Sequence, residues 1–222
     1  MDFRNHERAV GIPMDAAIHQ GALGVPAAAK GLVLFAHGSG SGRLSTRNNY
    51  VAGVLRKHGV GTLLFDLLTE AEDRVYENRF DIVLLTHRLL LATQWAGQQA
   101  ATRGLTLGYF GASTGAAAAL RAAAALGPEI GAVVSRGGRP DLALDDLPRV
   151  QAPTLLIVGG NDAVVIDLNR AAYRELCGEK ELKIIPGATH LFEEPGTLEQ
   201  VATAAADWFR RHLNGKGGAS WN

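Results

Sequence analysis

The stretch Tyr109-Phe110-Gly111-Ala112-Ser113-Thr114-Gly115-Ala116 lies between a segment typical of a strand and one typical of a helix. Residues 105–110 are apolar and β-prone, whereas residues 116–126 are almost unbroken alanine, the residue with the highest helix propensity. The glycines on either side of Ser113 would let the strand and the helix approach closely. The stretch therefore predicts a sharp strand-to-helix turn that projects the Ser113 hydroxyl above a sheet.

Apolar runs and helical patterns alternate on both sides of this turn. Two broken β-type runs, 8–12 and 16–20, predict an edge hairpin. Apolar runs predict buried strands at 31–36, 62–66, 130–134, 153–158 and 182–185, and apolar spacing predicts helices at 46–59, 80–101, 167–176 and 197–213. This alternation predicts an α/β fold with a mostly parallel sheet of about eight strands and helices on both faces. We expect one domain over 1–213 and a loose, glycine-rich tail at 214–222.

Composition narrows the class of protein. The chain has 222 residues, 47% of them apolar, and a net charge of zero, so charge gives no argument for binding nucleic acid or an anionic membrane. The polar residues 1–8 lack the apolar segment of a signal peptide, and the single Cys177 excludes an intramolecular disulfide. No metal-binding motif is present. We expect a cytoplasmic protein.

Three polar residues that suit nucleophilic catalysis each follow a different predicted strand: Ser113, Asp162 and His190. The carboxyl ends of parallel strands lie at one edge of a sheet, so we expect these side chains to meet there. His190 would take the proton of the weakly nucleophilic Ser113 hydroxyl, and Asp162 would hold the imidazole in the required tautomer. Asp141 is the alternative acid, and Asp167 is interpreted as the N-cap of a helix.

The loop His37-Gly38-Ser39-Gly40-Ser41-Gly42 follows an early strand and is rich in free amides. An oxyanion needs two such donors, which we predict to be the N–H groups of Thr114 and Ser39. His37 is expected to order this loop, and with Gly38 and Gly40 to lie near the substrate.

Two arginines also follow a strand. Arg136 is a candidate for binding an anionic substrate group, as is Arg139. Pairing of these arginines with Asp141, Asp145 or Asp146 is the structural alternative, and it is the one that we favour.

Parts of the sequence are also compatible with two other functions. The glycine loop with Asp66 faintly resembles a dinucleotide site, but the third glycine of that motif would fall on Arg43. A small-molecule-binding protein with a catalytically inactive site is a second alternative, against which the complete set of Ser113, Asp162 and His190 argues.

With these residues the chain resembles the α/β-hydrolase superfamily, and within it the dienelactone hydrolase family. The resemblance covers nearly the whole chain and rests on five segments: 34–38, 47–52, 111–115, 160–162 and 187–192. It implies a Ser113–Asp162–His190 triad, an oxyanion hole at Thr114 and Ser39, and no metal or organic cofactor. Hydrolase sheets often pair in dimers, so we expect a monomer or a homodimer. Dienelactone hydrolases proper use cysteine where this chain has Ser113, so ester hydrolysis is expected, with lactone hydrolysis, other acyl transfer or C–C cleavage as alternatives.

A short connection points to an open site. Only 18 residues, 135–152, separate two strands between which many relatives insert a lid domain. We therefore expect no cap domain and a preference for small or short-chain acyl esters, although the irregular segment 67–79 could cover part of the site.

Overall fold

The computed structural model describes residues 7–214 and confirms an α/β fold built on one eight-stranded sheet. The strands are β1 (Glu7–Met14), β2 (Ala17–Gly24), β3 (Gly31–Ala36), β4 (Gly61–Phe65), β5 (Thr106–Ala112), β6 (Ile130–Arg136), β7 (Thr154–Gly159) and β8 (Lys180–Ile185). The helices are α1 (Thr46–Lys57), α2 (Glu70–Asp73), α3 (Ile82–Gln98), α4 (Thr114–Leu126), α5 (Ala163–Glu175) and α6 (Thr197–His212). Short 3₁₀ helices cover Tyr76–Phe80, Gly127–Glu129 and Pro140–Arg149.

The strand order brings the predicted site loops to one edge of the sheet. The order is β1-β2-β4-β3-β5-β6-β7-β8, with an antiparallel hairpin of β1 and β2 at the edge and parallel pairing from β4 through β8. At the ends of the three central strands Ala36 lies opposite Gly111, and Ala112 lies opposite Arg136. The segments that follow β3, β5 and β6 therefore begin side by side.

Helices cover both faces of this sheet. On β3, Leu32 and Leu34 belong to one apolar cluster and Val33 and Phe35 to the other, as the two-residue period of a strand requires. The first cluster includes residues of α3, α4 and α5, and the second includes residues of α1 and α6. No helix in the described range 7–214 is long and apolar enough to cross a membrane.

Several predicted boundaries are corrected by the structure. Helix α5 begins at Ala163, so Asp167 lies inside it and pairs with Arg170 at its exposed surface instead of capping it. Two segments predicted to be irregular contain short helices. Segment 67–79 contains α2 and most of the 3₁₀ helix Tyr76–Phe80, and segment 135–152 contains the 3₁₀ helix Pro140–Arg149. Of the predicted tail, residues 215–222 lie outside the described residues, as do residues 1–6.

Candidate active site

Ser113 occupies a strained position between β5 and α4. Its φ of +50° and ψ of −121° are values that side-chain-bearing residues rarely adopt. The close approach depends on both glycines of the motif: a Cβ at Gly111 would lie 2.4 Å from Ala116 Cα, and one at Gly115 would lie 2.2 Å from the Ala36 carbonyl oxygen. The motif thus forms the sharp turn that its sequence predicts.

Asp162 and His190 form a direct hydrogen bond. His190 Nδ1 donates to Asp162 Oδ2 over 2.7 Å, although the two residues are 28 positions apart in the chain. Asp162 stands at the N-cap position of α5 but makes no capping bond, so its carboxylate is available to the imidazole. With the proton on Nδ1, His190 Nε2 remains free to accept a proton. Ser113 makes no side-chain hydrogen bond within residues 7–214, but it lines the same cavity as His190.

Two residues that support His190 were missed by the sequence analysis. A Cβ at Gly137, whose φ is +51°, would lie 3.5 Å from the His190 ring, so this glycine packs against the imidazole. Glu194 accepts hydrogen bonds from the N–H and the hydroxyl of Thr189, at 3.1 and 2.6 Å. These bonds from Thr189 lower the pKa of Glu194 and close the loop that carries His190. An acid five residues after a threonine is too common a pattern to have predicted this contact.

Both predicted oxyanion donors are free. The amide groups of Thr114, the first residue of α4, and of Ser39 have no hydrogen-bond acceptor in the part of the chain that the structure describes. Gly38 packs so closely that a Cβ there would lie 3.0 Å from Ser113 Cβ. The glycine loop therefore lies directly beside the serine.

Both ring nitrogens of His37 form hydrogen bonds with the backbone. Its Nε2 accepts the Leu67 N–H at 2.9 Å and its Nδ1 donates to the Gly38 carbonyl at 3.0 Å, which ties the end of β3 to the segment after β4. Burial of the ring lowers its pKa, against the weaker opposing effect of the Gly38 bond. His37 and Gly40 do not line the Ser113 cavity; they line a small adjoining one together with Arg79.

Arg136, which ends β6, and Arg139, which lies in the loop after it, differ in their contacts. Arg139 donates two hydrogen bonds to Asp141, at 2.8 and 2.7 Å, and this pairing raises the pKa of Arg139. Asp141, the alternative acid of the triad, is therefore paired with Arg139 and not with His190. Arg136 pairs with no carboxylate among the described residues, so the acidic partner favoured for it from sequence is wrong.

The cavity at Ser113 has a volume of about 200 Å³. Besides Ser113 and His190 it is lined by Gly38, Ser39, Ser41, Ser45, Arg47, Asn48, Ala112, Arg136 and Leu191. A second cavity, of about 360 Å³, lies beyond the glycine loop near Asp66 and does not include Ser113. The segment 67–79 borders that second cavity and the small adjoining one, not the Ser113 cavity. No group of three or more potential metal ligands occurs within residues 7–214.

Comparisons with known proteins identify a family for this chain. A model of the dienelactone hydrolase family matches residues 62–215. A dienelactone hydrolase from Anabaena variabilis is 52% identical, with a TM-score of 0.92 over 95% of this chain and 100% of that one. Est1E from Butyrivibrio proteoclasticus, at 17% identity and a TM-score of 0.80 over 92% of this chain and 98% of its own, shares the fold.

A longer relative carries a different name. Rv0571c from Mycobacterium tuberculosis, provisionally named a phosphoribosyl transferase, is 60% identical over 197 residues, which are 89% of this chain. The match covers 44% of that protein, so the chain spans less than half the length of this relative.

Proposed function

Because the chain belongs to the dienelactone hydrolase family, we propose that it is a serine hydrolase that cleaves small carboxylic esters through an acyl-enzyme. The observation that carries this proposal is the 2.7 Å bond from His190 to Asp162 beside a serine held at a φ of +50°. Family membership supports a hydrolase; the serine, its partners and the ester substrate are our assignment.

In the acylation step Ser113 Oγ attacks the ester carbonyl carbon while its proton passes to His190 Nε2. The carbonyl oxygen becomes an oxyanion, for which the free amides of Thr114 and Ser39 would be the donors. When the intermediate collapses, the bond between the carbonyl carbon and the alcohol oxygen breaks. His190 returns its proton to that oxygen, and Ser113 is left as an acyl ester.

Deacylation repeats the same chemistry with water. His190 Nε2 removes a proton from a water molecule whose oxygen attacks the acyl carbon, and a second oxyanion forms at the same donors. Collapse returns the proton from His190 to Ser113 Oγ and releases the carboxylic acid. Throughout both steps the Asp162 carboxylate stabilises the imidazolium that forms on His190.

The size of the cavity supports a small acyl group. At about 200 Å³ it is smaller than the roughly 300–1,000 Å³ typical of drug-sized ligand sites. Between β6 and β7 the chain forms only a 3₁₀ helix, Pro140–Arg149, so no lid deepens the site there. Phosphoribosyl transfer, named for a relative more than twice as long, is not part of this proposal because the paired Asp162 and His190 suit acyl transfer.

The proposal is tested by intact mass after incubation with a fluorophosphonate, which requires no choice of ester. We expect one adduct on the wild-type protein and none on Ser113→Ala. Ser39→Ala serves as the matched control, because it removes a neighbouring hydroxyl but keeps the backbone amide, and it should still be labelled. An adduct that persists in Ser113→Ala, or its absence from folded wild type, would refute the assignment of the nucleophile.

A further inference from the structure

Arg136 is a buried arginine that pairs with no carboxylate among the described residues. Its exposed fraction is 7%, its only hydrogen bond reaches Asn48 Oδ1 at 3.5 Å, and its Nε has no partner among the described residues. Two other deeply buried arginine side chains are neutralised: Arg88 pairs with Asp15 and Glu72, and Arg56 pairs with Glu7. Arg136 therefore departs from the way in which this protein buries charge.

A buried guanidinium without a negative partner lowers the stability of the fold. Its presence here therefore suggests a role in binding. Burial, and secondarily the charge of Arg47, lower the pKa of Arg136 to about 10, so the group still carries its proton at neutral pH. The Phe192 ring lies 5.8 Å from the guanidinium carbon and packs against it, but a ring supplies no negative charge. Because Arg136 lines the cavity that contains Ser113, a negative group could reach it from that cavity.

Further donors line the same cavity. Arg47 pairs with Glu193 at its outer end, over 2.9 Å, but Glu193 is 64% exposed and such surface pairs are weak. The buried Nε of Arg47 has no partner within residues 7–214. Ser41 and Ser45 add two hydroxyl groups, and no aspartate or glutamate of the described chain lines the cavity.

We propose that Arg136 and Arg47 bind a phosphate monoester group carried by the ester substrate. The inference rests on the proposed ester hydrolysis, and the phosphate is bound, not cleaved: the bond that breaks is the one between the acyl carbon and the alcohol oxygen. A carboxylate has two oxygens, which one guanidinium fork can satisfy. Two guanidinium groups and two hydroxyls instead match the three terminal oxygens and the charge of about −1.5 to −2 of a phosphate.

Binding is tested without catalysis by titrating inorganic phosphate into Ser113→Ala in a calorimeter. Adding Arg136→Gln to this protein should weaken binding by at least about tenfold, because charge-assisted hydrogen bonds are lost. The matched control is Arg139→Gln, because Arg139 stands only three residues after Arg136 and is already paired with Asp141; this exchange should change binding less than about twofold. Arg136→Lys keeps the charge in case the glutamine variant does not fold. Failure of Ser113→Ala to bind phosphate would overturn the proposal. So would phosphate binding that is as strong with Arg136→Gln or with Arg136→Lys added as it is in Ser113→Ala alone.

The class of anion is tested by p-nitrophenyl esters of butanoate, succinate and 3-phosphonopropanoate, whose acyl chains end in a methyl, a carboxylate and a phosphonate. We expect kcat/KM to be highest for the phosphonate, and its ratio to the butanoate to fall at least about tenfold in Arg136→Gln. Preference for succinate, or a ratio that does not change in Arg136→Gln, would overturn phosphate recognition. Phosphate binding without hydrolysis of any ester would instead refute the proposed function and leave the anion site standing.

Discussion

The charge of Asp162 can be removed with almost no change in shape by the exchange Asp162→Asn. At 2.7 Å, and with an effective dielectric constant of about 20, a carboxylate and an imidazolium attract each other by about 6 kcal/mol. The Asp162 side chain is 15% exposed but that of His190 is 39% exposed, so water screens part of this energy. A loss of about 4–5.5 kcal/mol of transition-state stabilisation corresponds to a kcat lower by about 1,000- to 10,000-fold.

The assay is kcat for p-nitrophenyl acetate under saturation, together with the thermal midpoint to show that the fold is kept. Asp141→Asn and Asp167→Asn are the matched controls, because their carboxylates pair with Arg139 and Arg170 instead of with His190. Both controls should retain kcat within about threefold of wild type, as expected for exposed or remote pairs. Turnover by Asp162→Asn within tenfold of wild type, with the fold intact, would refute the role given to this carboxylate. A large loss in Asp141→Asn alone would move that role to Asp141.

Three further predictions concern strain, pH and substrate size. Ser113→Gly and Ser113→Ala should both be inactive, but because only glycine relieves the φ of +50°, Ser113→Gly should be more stable than Ser113→Ala by about 1 kcal/mol, or 2–4 °C in thermal midpoint; equal midpoints would contradict the strain. Burial lowers the pKa of His37 below its ordinary value of 6.5. As the pH falls below 6.5, His37 therefore binds a proton in the unfolded chain but not in the folded protein, which lowers the free energy of unfolding. Urea midpoints should therefore decline from pH 7.5 to pH 5.5, and less steeply in His37→Gln; parallel declines would refute this. In a series of p-nitrophenyl esters, kcat/KM should be highest at two to four acyl carbons because of the cavity of about 200 Å³, and a preference for long chains would count against it.

The fold was largely predictable because its determinants are local. The apolar run 31–36 became β3 over the same residues, since a strand covered on both faces must be apolar at every position. The start of α5 was not predictable in this way. Its first turn, Ala163 to Ile166, is rich in β-branched residues that form helices weakly, and packing against the sheet overrides that preference.

The candidate site was likewise predictable only in part. The order of Ser113, Asp162 and His190, each after a strand, is visible in the sequence, and parallel pairing of β7 with β8 explains how the last two meet. The contact of Gly137 with the His190 ring depends on where two separate loops end, and no spacing along the chain encodes it.

The strands, most of the helices and the turn at Ser113 could be placed from the amino-acid sequence, because they follow from backbone preferences and from side chains a few residues apart. Which buried charges have a partner became visible only in the folded protein. Arg136, at the end of β6, and Arg139 stand three residues apart, and the same acidic partners were expected for both from the sequence. Arg139 reaches Asp141 within its own loop, whereas Arg136 points into the interior between α1 and Phe192, where the described chain supplies no acid. Electrostatic pairing depends on distance in space, and the surroundings of Arg136 are set only when elements far apart in the chain pack together.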